Sequence, residues 1–140
     1  MEIKIAENEA EISACFDVLA ELRPHLSKED FVSTIRRLEA KTNFKLVYLK
    51  DPAVKAVAGV RISEWLYSGQ YLEIEDLITT QADRSKGYGS TLFDWLFEYA
   101  RTNHCQQLRL VSGVAREAAH RFYLKKGMVF EAKYFSMNIE

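Results

Sequence analysis

The sequence predicts one domain of the α+β class, a mixed sheet with helices on both faces. Two observations lead to this prediction. Apolar residues switch between strand spacing and helix spacing along the chain, in the order β-α-α-β-β-β-α-β-α-β-β. The chain of 140 residues contains only two prolines and six glycines, and no linker-like stretch divides it. We therefore expect residues 1–140 to form a single domain.

The N-terminal part predicts one strand and two helices. Residues 2–6 alternate in polarity, as a first strand does. Asn8 and Glu11 have the spacing of a capping box, and apolar residues at helical spacing follow them. Pro24 ends that helix, and Ser27 is expected to cap the next one.

The remaining elements follow from runs rich in Val, Ile and aromatic residues, separated by turn residues. The predicted strands are 45–49, 54–62, 71–80 and 108–111, and a closing hairpin is expected from 129–130 and 134–139. The predicted helices are 87–102 and 115–125, the second ended by Gly127. Since a helix joins strands 71–80 and 108–111, these two are expected to run parallel.

A glycine loop, Arg84-Ser85-Lys86-Gly87-Tyr88-Gly89, lies between a predicted strand and a predicted helix. Glycines let backbone N–H groups approach a ligand closely, and a helix N-terminus favours an anion. The loop therefore predicts an anion site, although a short Gly-x-Gly is as often a simple turn. It lacks the lysine that ends a Walker loop and the third glycine of a dinucleotide fingerprint.

Three segments together carry a family resemblance. The glycine loop resembles the Arg/Gln-x-x-Gly-x-Gly/Ala signature of the GNAT superfamily of N-acetyltransferases. Strand 72–78 is similar to the central strand of that family, and residues 118–128 resemble its "A-x-x-F-Y-x-x-x-G-F" helix and turn. The resemblance covers nearly the whole chain. Departures from the family pattern occur at Gln81, Arg116 and Met128.

The resemblance implies acetyl-CoA as co-substrate. No metal site is expected, because the three histidines are scattered along the chain. The loop would bind the CoA pyrophosphate through backbone N–H groups, and the end of the central strand would pair with the pantetheine arm. The residues implied for CoA binding are Leu77, Ile78, Thr79, Arg84, Ser85, Lys86, Gly87, Tyr88, Gly89 and Ser90.

Acetyl transfer to an amine requires a base for the amine and an acid for the leaving thiolate. Tyr123 occupies the family's tyrosine position and is the candidate acid; the alternative is a packed core tyrosine. Glu73 and Glu75 are two residues apart on a strand, so they share a face and are the candidate bases. The alternative is a solvated row of carboxylates.

Other side chains have weaker indications. Asp76 interrupts the strand alternation, so it either braces a bulge or attracts a cationic amine. His120 is expected to be a half-buried surface residue rather than a ligand contact. His25 falls where the family shapes its acceptor site, and Trp65 and Tyr67 either line an acceptor pocket or cover the edge of the core.

Composition limits the function classes. A net charge of −1 gives no general attraction to nucleic acid or anionic membrane. Two cysteines and no apolar leader indicate a cytoplasmic protein with reduced thiols. The sequence thus predicts an N-acetyltransferase acting on a small-molecule or peptide amine, with homodimerisation open. The alternatives are a non-catalytic CoA-binding regulatory module and a nucleotide- or RNA-binding domain.

Overall fold

The computed structural model describes residues 1–140, which form five strands and five α-helices. The strands are β1 Glu2–Ile5, β2 Lys45–Lys50, β3 Val54–Trp65, β4 Gly69–Thr79 and β5 Gln107–Leu110. The helices are α1 Glu9–Ala14, α2 Phe16–Leu22, α3 Phe31–Thr42, α4 Tyr88–Thr102 and α5 Glu117–Lys125, with a 3₁₀ turn at Gln81–Asp83. By their contacts, the residues divide into two compact units, Met1–Arg109 and Leu110–Glu140.

The five strands form one sheet in the order β1-β2-β3-β4-β5. Strands β1 to β4 pair in antiparallel fashion. The chain enters β5 beside the start of β4, where the Gln106 N–H donates to the Gln70 carbonyl at 2.7 Å. Two strands that start at the same edge run parallel, so the sheet is mixed and the predicted α+β class is confirmed.

Helices cover both faces of this sheet. Leu46 and Tyr48 of β2 pack into an apolar cluster with side chains of α1, α2 and α3. Val47 and Leu49 point to the opposite face and are equally buried. That face carries α4, which contacts β2, β3 and β4. Every buried apolar side chain lies between residues 6 and 100.

The capping predictions hold at two of three positions. Asn8 accepts from the Glu11 N–H at 2.8 Å and the Glu11 carboxylate accepts from the Asn8 N–H at 3.2 Å, which completes the capping box. Gly127 follows α5 with φ 100°, as a C′ glycine does. The prediction for Ser27 was wrong, because a turn occupies 27–30 and the helix starts at the buried Phe31.

The first predicted helix is interrupted. It divides into α1 and α2 at Cys15, whose N–H donates to the Ile12 carbonyl at 3.0 Å, three residues back rather than four. Cys15 is fully buried, and burial raises the pKa of its thiol to about 12. The break therefore lies at a side chain fixed in the core.

The closing hairpin predicted at 129–130 and 134–139 was wrong for this chain. Residues 128–140 contain no strand, and their large apolar side chains are exposed. The alternation that predicted strands is present, but a strand also has to pair with a neighbouring strand, and residues 128–140 are part of no sheet. The last two strands of the predicted element order are therefore missing.

No helix is both long enough and apolar enough to span a bilayer; the longest, α4, has 15 residues.

Candidate functional site

The glycine loop leads directly into α4. Gly87 precedes the helix with φ 84°, and Ser85 also has a left-handed backbone, with φ 74°. The first helical hydrogen bond is donated by the Thr91 N–H to the Gly87 carbonyl at 3.0 Å. The N–H groups of Tyr88 and Gly89 precede it and have no acceptor within the helix. Such N–H groups at the start of a helix are the kind that binds anions in proteins, and this helix has 15 residues.

The two loop glycines are required for different reasons. A Cβ on Gly87 would meet nothing within 4 Å, so a side chain would fit there. Glycine is favoured at this position because the backbone has a positive φ. A Cβ on Gly89 would lie 3.0 Å from Oγ1 of Thr79, because the helix start lies against the end of β4. The loop thus brings backbone N–H groups beside the last residues of β4.

Those last residues, Leu77, Ile78 and Thr79, pair with β3 on one side. Strand β5 has four residues and begins beside Gln70, so it ends before β4 reaches Leu77. The other backbone edge at Leu77–Thr79 therefore has no neighbouring strand.

The loop's cations surround a buried acid. Lys86 contacts the Asp83 carboxylate at 2.9 Å, and Lys55 of β3 contacts it at 3.3 Å. The hydrogen bond from Lys86, then that from Lys55, lowers the pKa of Asp83. Arg84 is exposed, and its Nε donates weakly to the Thr79 carbonyl at 3.5 Å. Sequence reasoning missed Lys55, which lies 31 residues before Lys86 and carries no local signal.

Two further contacts hold the loop in place. The Glu21 carboxylate of α2 accepts from the Thr80 hydroxyl and from the Gln81 N–H, both at 2.8 Å. At the start of α4, the Tyr88 hydroxyl donates to Asp51 at 3.0 Å. The loop is therefore anchored at both ends.

Strand β4 carries a bulge beside the predicted carboxylates. Gly59 of β3 pairs with Asp76 and the next residue, Val60, pairs with Ile74, so Glu75 has no partner of its own. A Cβ on Gly59 would lie 2.5 Å from the Asp76 carboxylate, which explains the glycine opposite the bulge.

Glu73 lies before the bulge and is only 9% exposed. Its carboxylate accepts from Nε of Arg109 at 2.8 Å. The Arg109 guanidinium lies over the rings of Trp65 and Tyr71, 3.6 and 3.5 Å from their centroids. Glu73 is therefore held in a buried ion pair with an aromatic cover.

The other two carboxylates pair with different arginines. Glu75 is exposed and accepts from Arg61 Nε at 2.8 Å. Asp76 accepts from Arg23 Nε at 2.8 Å, and burial raises the pKa of its carboxyl group in spite of that partner. Sequence reasoning missed all three arginine partners, since none is close in sequence to its acid.

A cavity of about 340 Å³ opens beside Glu75 and Asp76. Its wall is mostly apolar and comes from α2, α3 and the segment between them, together with Phe44. Arg23, His25 and Thr34 add polar atoms, so the structure brings His25 to the same cavity as the two acids. Trp65 and Tyr67 are not part of its wall.

The second unit carries Tyr123 on α5. Its ring is partly buried and meets the Phe122 ring edge-on at a centroid distance of 5.5 Å. Burial raises the pKa of the Tyr123 phenol, so the phenol keeps its proton at neutral pH. On the same helix, His120 Nε2 lies 2.8 Å from the Gly113 carbonyl. That contact agrees with a structural role for His120.

Within residues 1–140, no three His, Cys, Asp or Glu side chains cluster with the geometry of a metal site.

Comparisons with known proteins match this chain to one family. The model of the acetyltransferase (GNAT) family matches residues 9–128. The chain is 32% identical over 135 residues to the uncharacterized N-acetyltransferase YhdJ of Bacillus subtilis (strain 168), covering 95% of both chains. It is 28% identical over 91 residues to an aminoalkylphosphonate N-acetyltransferase of Salmonella typhimurium, covering 64% of this chain and 58% of that one.

A solved structure shows the same fold. The GNAT family acetyltransferase of Staphylococcus aureus superposes with a TM-score of 0.81 at 15% identity, covering 99% of this chain and 98% of that one. The family match extends over the glycine loop, β4 and α5, and the family's enzymes use acetyl-CoA. This chain belongs to the GNAT family of acetyltransferases.

Proposed function

We propose that this protein transfers an acetyl group from acetyl-CoA to a primary amine by direct attack in a ternary complex. One observation carries the proposal. The N–H groups at the start of α4 lie beside the end of β4, where Leu77–Thr79 have a backbone edge without a neighbouring strand. CoA carries a pyrophosphate followed by an amide-containing pantetheine arm, so these two neighbouring features fit two consecutive parts of the same ligand.

The residues present fit such a ligand. Backbone N–H groups of Lys86, Gly87, Tyr88 and Gly89 would bind the pyrophosphate, assisted by the exposed Arg84. Ser85 and Ser90 would add hydroxyl groups, and Leu77, Ile78 and Thr79 would pair with the pantetheine arm. The charge of Lys86 is partly neutralised by the Asp83 carboxylate, so the Lys86 side chain would attract the pyrophosphate less strongly than an unpaired lysine.

Glu75 is the better candidate base of the two glutamates. Its side chain is exposed and lines the cavity, whereas the Glu73 carboxylate is buried against Arg109. A base must reach the acceptor nitrogen directly or through one water. We therefore assign Glu75 as the base and Glu73 as a residue that stabilises β4.

The chemistry requires no covalent enzyme intermediate. The neutral amine nitrogen attacks the thioester carbonyl carbon, the C–N bond forms, and the C–S bond breaks. Glu75 accepts the proton that the nitrogen loses. Tyr123 donates its phenolic proton to the departing thiolate, a role supported by the raised pKa that keeps the phenol protonated.

The cavity beside Glu75 is the proposed acceptor site. An acidic strand by itself favours a cationic acceptor, but Arg109, Arg61 and Arg23 each neutralise one of its carboxylates. The apolar wall instead favours a primary amine with an apolar body. The Salmonella relative is named for aminoalkylphosphonates, so amines with an anionic group also belong among the candidates.

The test is an acetyl-CoA assay with a panel of amines, detecting the free thiol and the acetylated product by mass spectrometry. The panel would contain alkyl and aryl amines, amino acids, aminoalkylphosphonates, polyamines and peptides, with a tertiary amine as control. We expect product from a primary amine with an apolar body and none from the tertiary amine. CoA binding by calorimetry without turnover of any amine would refute the catalytic proposal and favour a CoA-binding regulatory module.

A further inference from the structure

The bulge in β4 changes which side chains share a face of the sheet. Asp76 pairs with Gly59 of β3, and Glu73 pairs with Arg61. Because residues 59 and 61 lie on one face of β3, Glu73 and Asp76 share that face although they are three residues apart. In a regular strand, residues three apart lie on opposite faces. Glu75 is the residue that the bulge inserts, so the bulge decides where its side chain points.

Arg23 contacts both residues of the bulge. Its Nε donates to the Asp76 carboxylate at 2.8 Å, and its Nη2 donates to the Glu75 carbonyl at 3.2 Å. A carbonyl at a bulge lies outside the regular ladder of the two strands, so a side-chain donor is one of the few partners it can have. The planar guanidinium presents several N–H groups in a fixed fork, which lets one side chain hold both acceptors.

The position of Asp76 is also fixed by the residue opposite. A Cβ on Gly59 would lie 2.5 Å from the Asp76 carboxylate and 2.6 Å from the Phe44 ring, so only glycine leaves room for that carboxylate. The Asp76 side chain is 15% exposed. A carboxylate at such a depth costs free energy unless a cation pairs with it. Arg23 supplies the cation, and Gly59 supplies the space.

We propose that Arg23 is a positioning residue for Glu75. By holding Asp76 and the Glu75 carbonyl, it fixes the backbone from which the Glu75 side chain reaches the cavity. The inference rests on the proposed function, in which Glu75 is the base. Arg23, Glu75 and Asp76 all line that cavity. A displacement of about 1 Å in a reacting group can cost about 100-fold in rate, so a fixed backbone at Glu75 favours proton transfer.

The chain contains a matched arginine that does not line the cavity. Arg36 of α3 pairs with Glu39 at 3.0 Å and donates to the Glu7 carbonyl at 3.0 Å, so it also joins a carboxylate and a backbone oxygen. The two arginine side chains are similarly exposed, 42% for Arg23 and 46% for Arg36. A lysine at either position keeps the charge but cannot repeat the fork, so the two substitutions remove the same kind of contact.

The first test compares Arg23→Lys with Arg36→Lys. At saturating amine and acetyl-CoA, we expect Arg23→Lys to lower kcat about ten-fold. The KM for acetyl-CoA and the urea midpoint should stay close to those of the wild type. Asp76→Asn, which removes the ion pair but leaves Arg23 in place, should lower kcat in the same direction, and Arg36→Lys should not change it. Wild-type kcat in Arg23→Lys, or an equal loss in both lysine variants, would overturn the proposal.

The second test asks whether Arg23 acts through Glu75. In a Glu75→Gln background the base is absent, so adding Arg23→Lys should change kcat by no more than about two-fold. A further loss of about ten-fold would show that Arg23 acts on the reaction by another route, which would overturn the proposal. Full activity of Glu75→Gln alone would instead refute the base assignment, and the third test then decides the positioning role without turnover.

The third test observes the bulge by NMR in the full chain without substrate. In Arg23→Lys we expect the carbonyl ¹³C signal of Glu75 to shift, because its hydrogen-bond donor is lost. The amides of residues 75–77 should exchange about ten-fold faster than in the wild type. Arg36→Lys should leave the signal and the exchange rates unchanged. If Arg23→Lys also leaves them unchanged, the bulge keeps its geometry without the arginine, and the proposal is wrong whatever the kinetics.

Discussion

Glu73 and Arg109 form a buried ion pair across two strands of the sheet, with Nε of Arg109 2.8 Å from the carboxylate and two aromatic rings around the guanidinium. Two residues further along β4, Glu75 pairs with Arg61 at the same distance but stays exposed beside a cavity. Two glutamates of similar appearance in the sequence thus have different surroundings and, we expect, different roles.

The buried pair should contribute to stability. Glu73→Ala leaves the Arg109 charge without its partner in a largely buried position, so we expect the free energy of unfolding to fall by about 3–5 kcal/mol. Urea denaturation followed by tryptophan fluorescence would measure it. Glu98→Ala removes an exposed ion pair with Arg101 and should have little effect. If both variants lose the same free energy of unfolding, the buried Glu73–Arg109 pair contributes no more to stability than an exposed ion pair.

The exposed glutamate should contribute to catalysis. Glu75→Gln keeps the size and the hydrogen bond to Arg61 but cannot accept the amine proton, so kcat should fall about 100-fold. The urea midpoint should stay close to that of the wild type. Glu64→Gln, on the exposed end of β3, is the matched control and should keep full activity. Normal turnover by Glu75→Gln would remove this residue from the mechanism.

Tyr123→Phe should lower kcat about 100-fold at neutral pH, because phenylalanine cannot protonate the thiolate. The dissociation constant of CoA, measured by calorimetry, should not change. Tyr99→Phe alters a tyrosine that stacks on Trp95 in α4 and should leave kcat unchanged. If Tyr123→Phe turns over at the wild-type rate, Tyr123 is a packing residue.

Gly87→Val and Gly89→Val should abolish CoA binding. Valine at 87 is strained at φ 84°, and at 89 its Cβ alone would lie 3.0 Å from the Thr79 hydroxyl. Gly113→Ala is the control, since a Cβ there would meet only ordinary contacts at 3.8 Å or more. Calorimetry would follow CoA, with circular dichroism to check folding. A folded Gly87→Val protein that binds CoA normally would refute the loop assignment.

Glu11 should give the protein an acid-sensitive component of stability. The hydrogen bond from Lys4, assisted by two backbone N–H groups, lowers the pKa of Glu11 to about 2 from an ordinary value of 4.5. The stabilisation is therefore complete above pH 4.5 and is lost as the pH falls toward 2. Urea denaturation across this range should show a smaller loss for Glu11→Gln than for the wild type. Identical slopes would contradict the assignment.

Much of the fold followed from local patterns. The capping box at Asn8 and Glu11, the strand alternation of β2 to β4 and the glycine that ends α5 are short-range signals, and the structure has each where the pattern indicated. The loop from Arg84 to Gly89 was recognisable for the same reason, because strand, glycines and helix start are adjacent in sequence.

The sequence by itself determined the family, the glycine loop at the start of α4 and the carboxylates of β4, since each depends on neighbouring residues. Only the tertiary structure decided which arginine neutralises each carboxylate, that Lys55 shares Asp83 with Lys86, and that residues 128–140 form no strand. These outcomes depend on contacts between residues distant in sequence or on the presence of a partner edge. Local periodicity reports how a segment can fold, whereas the available partners decide whether it does.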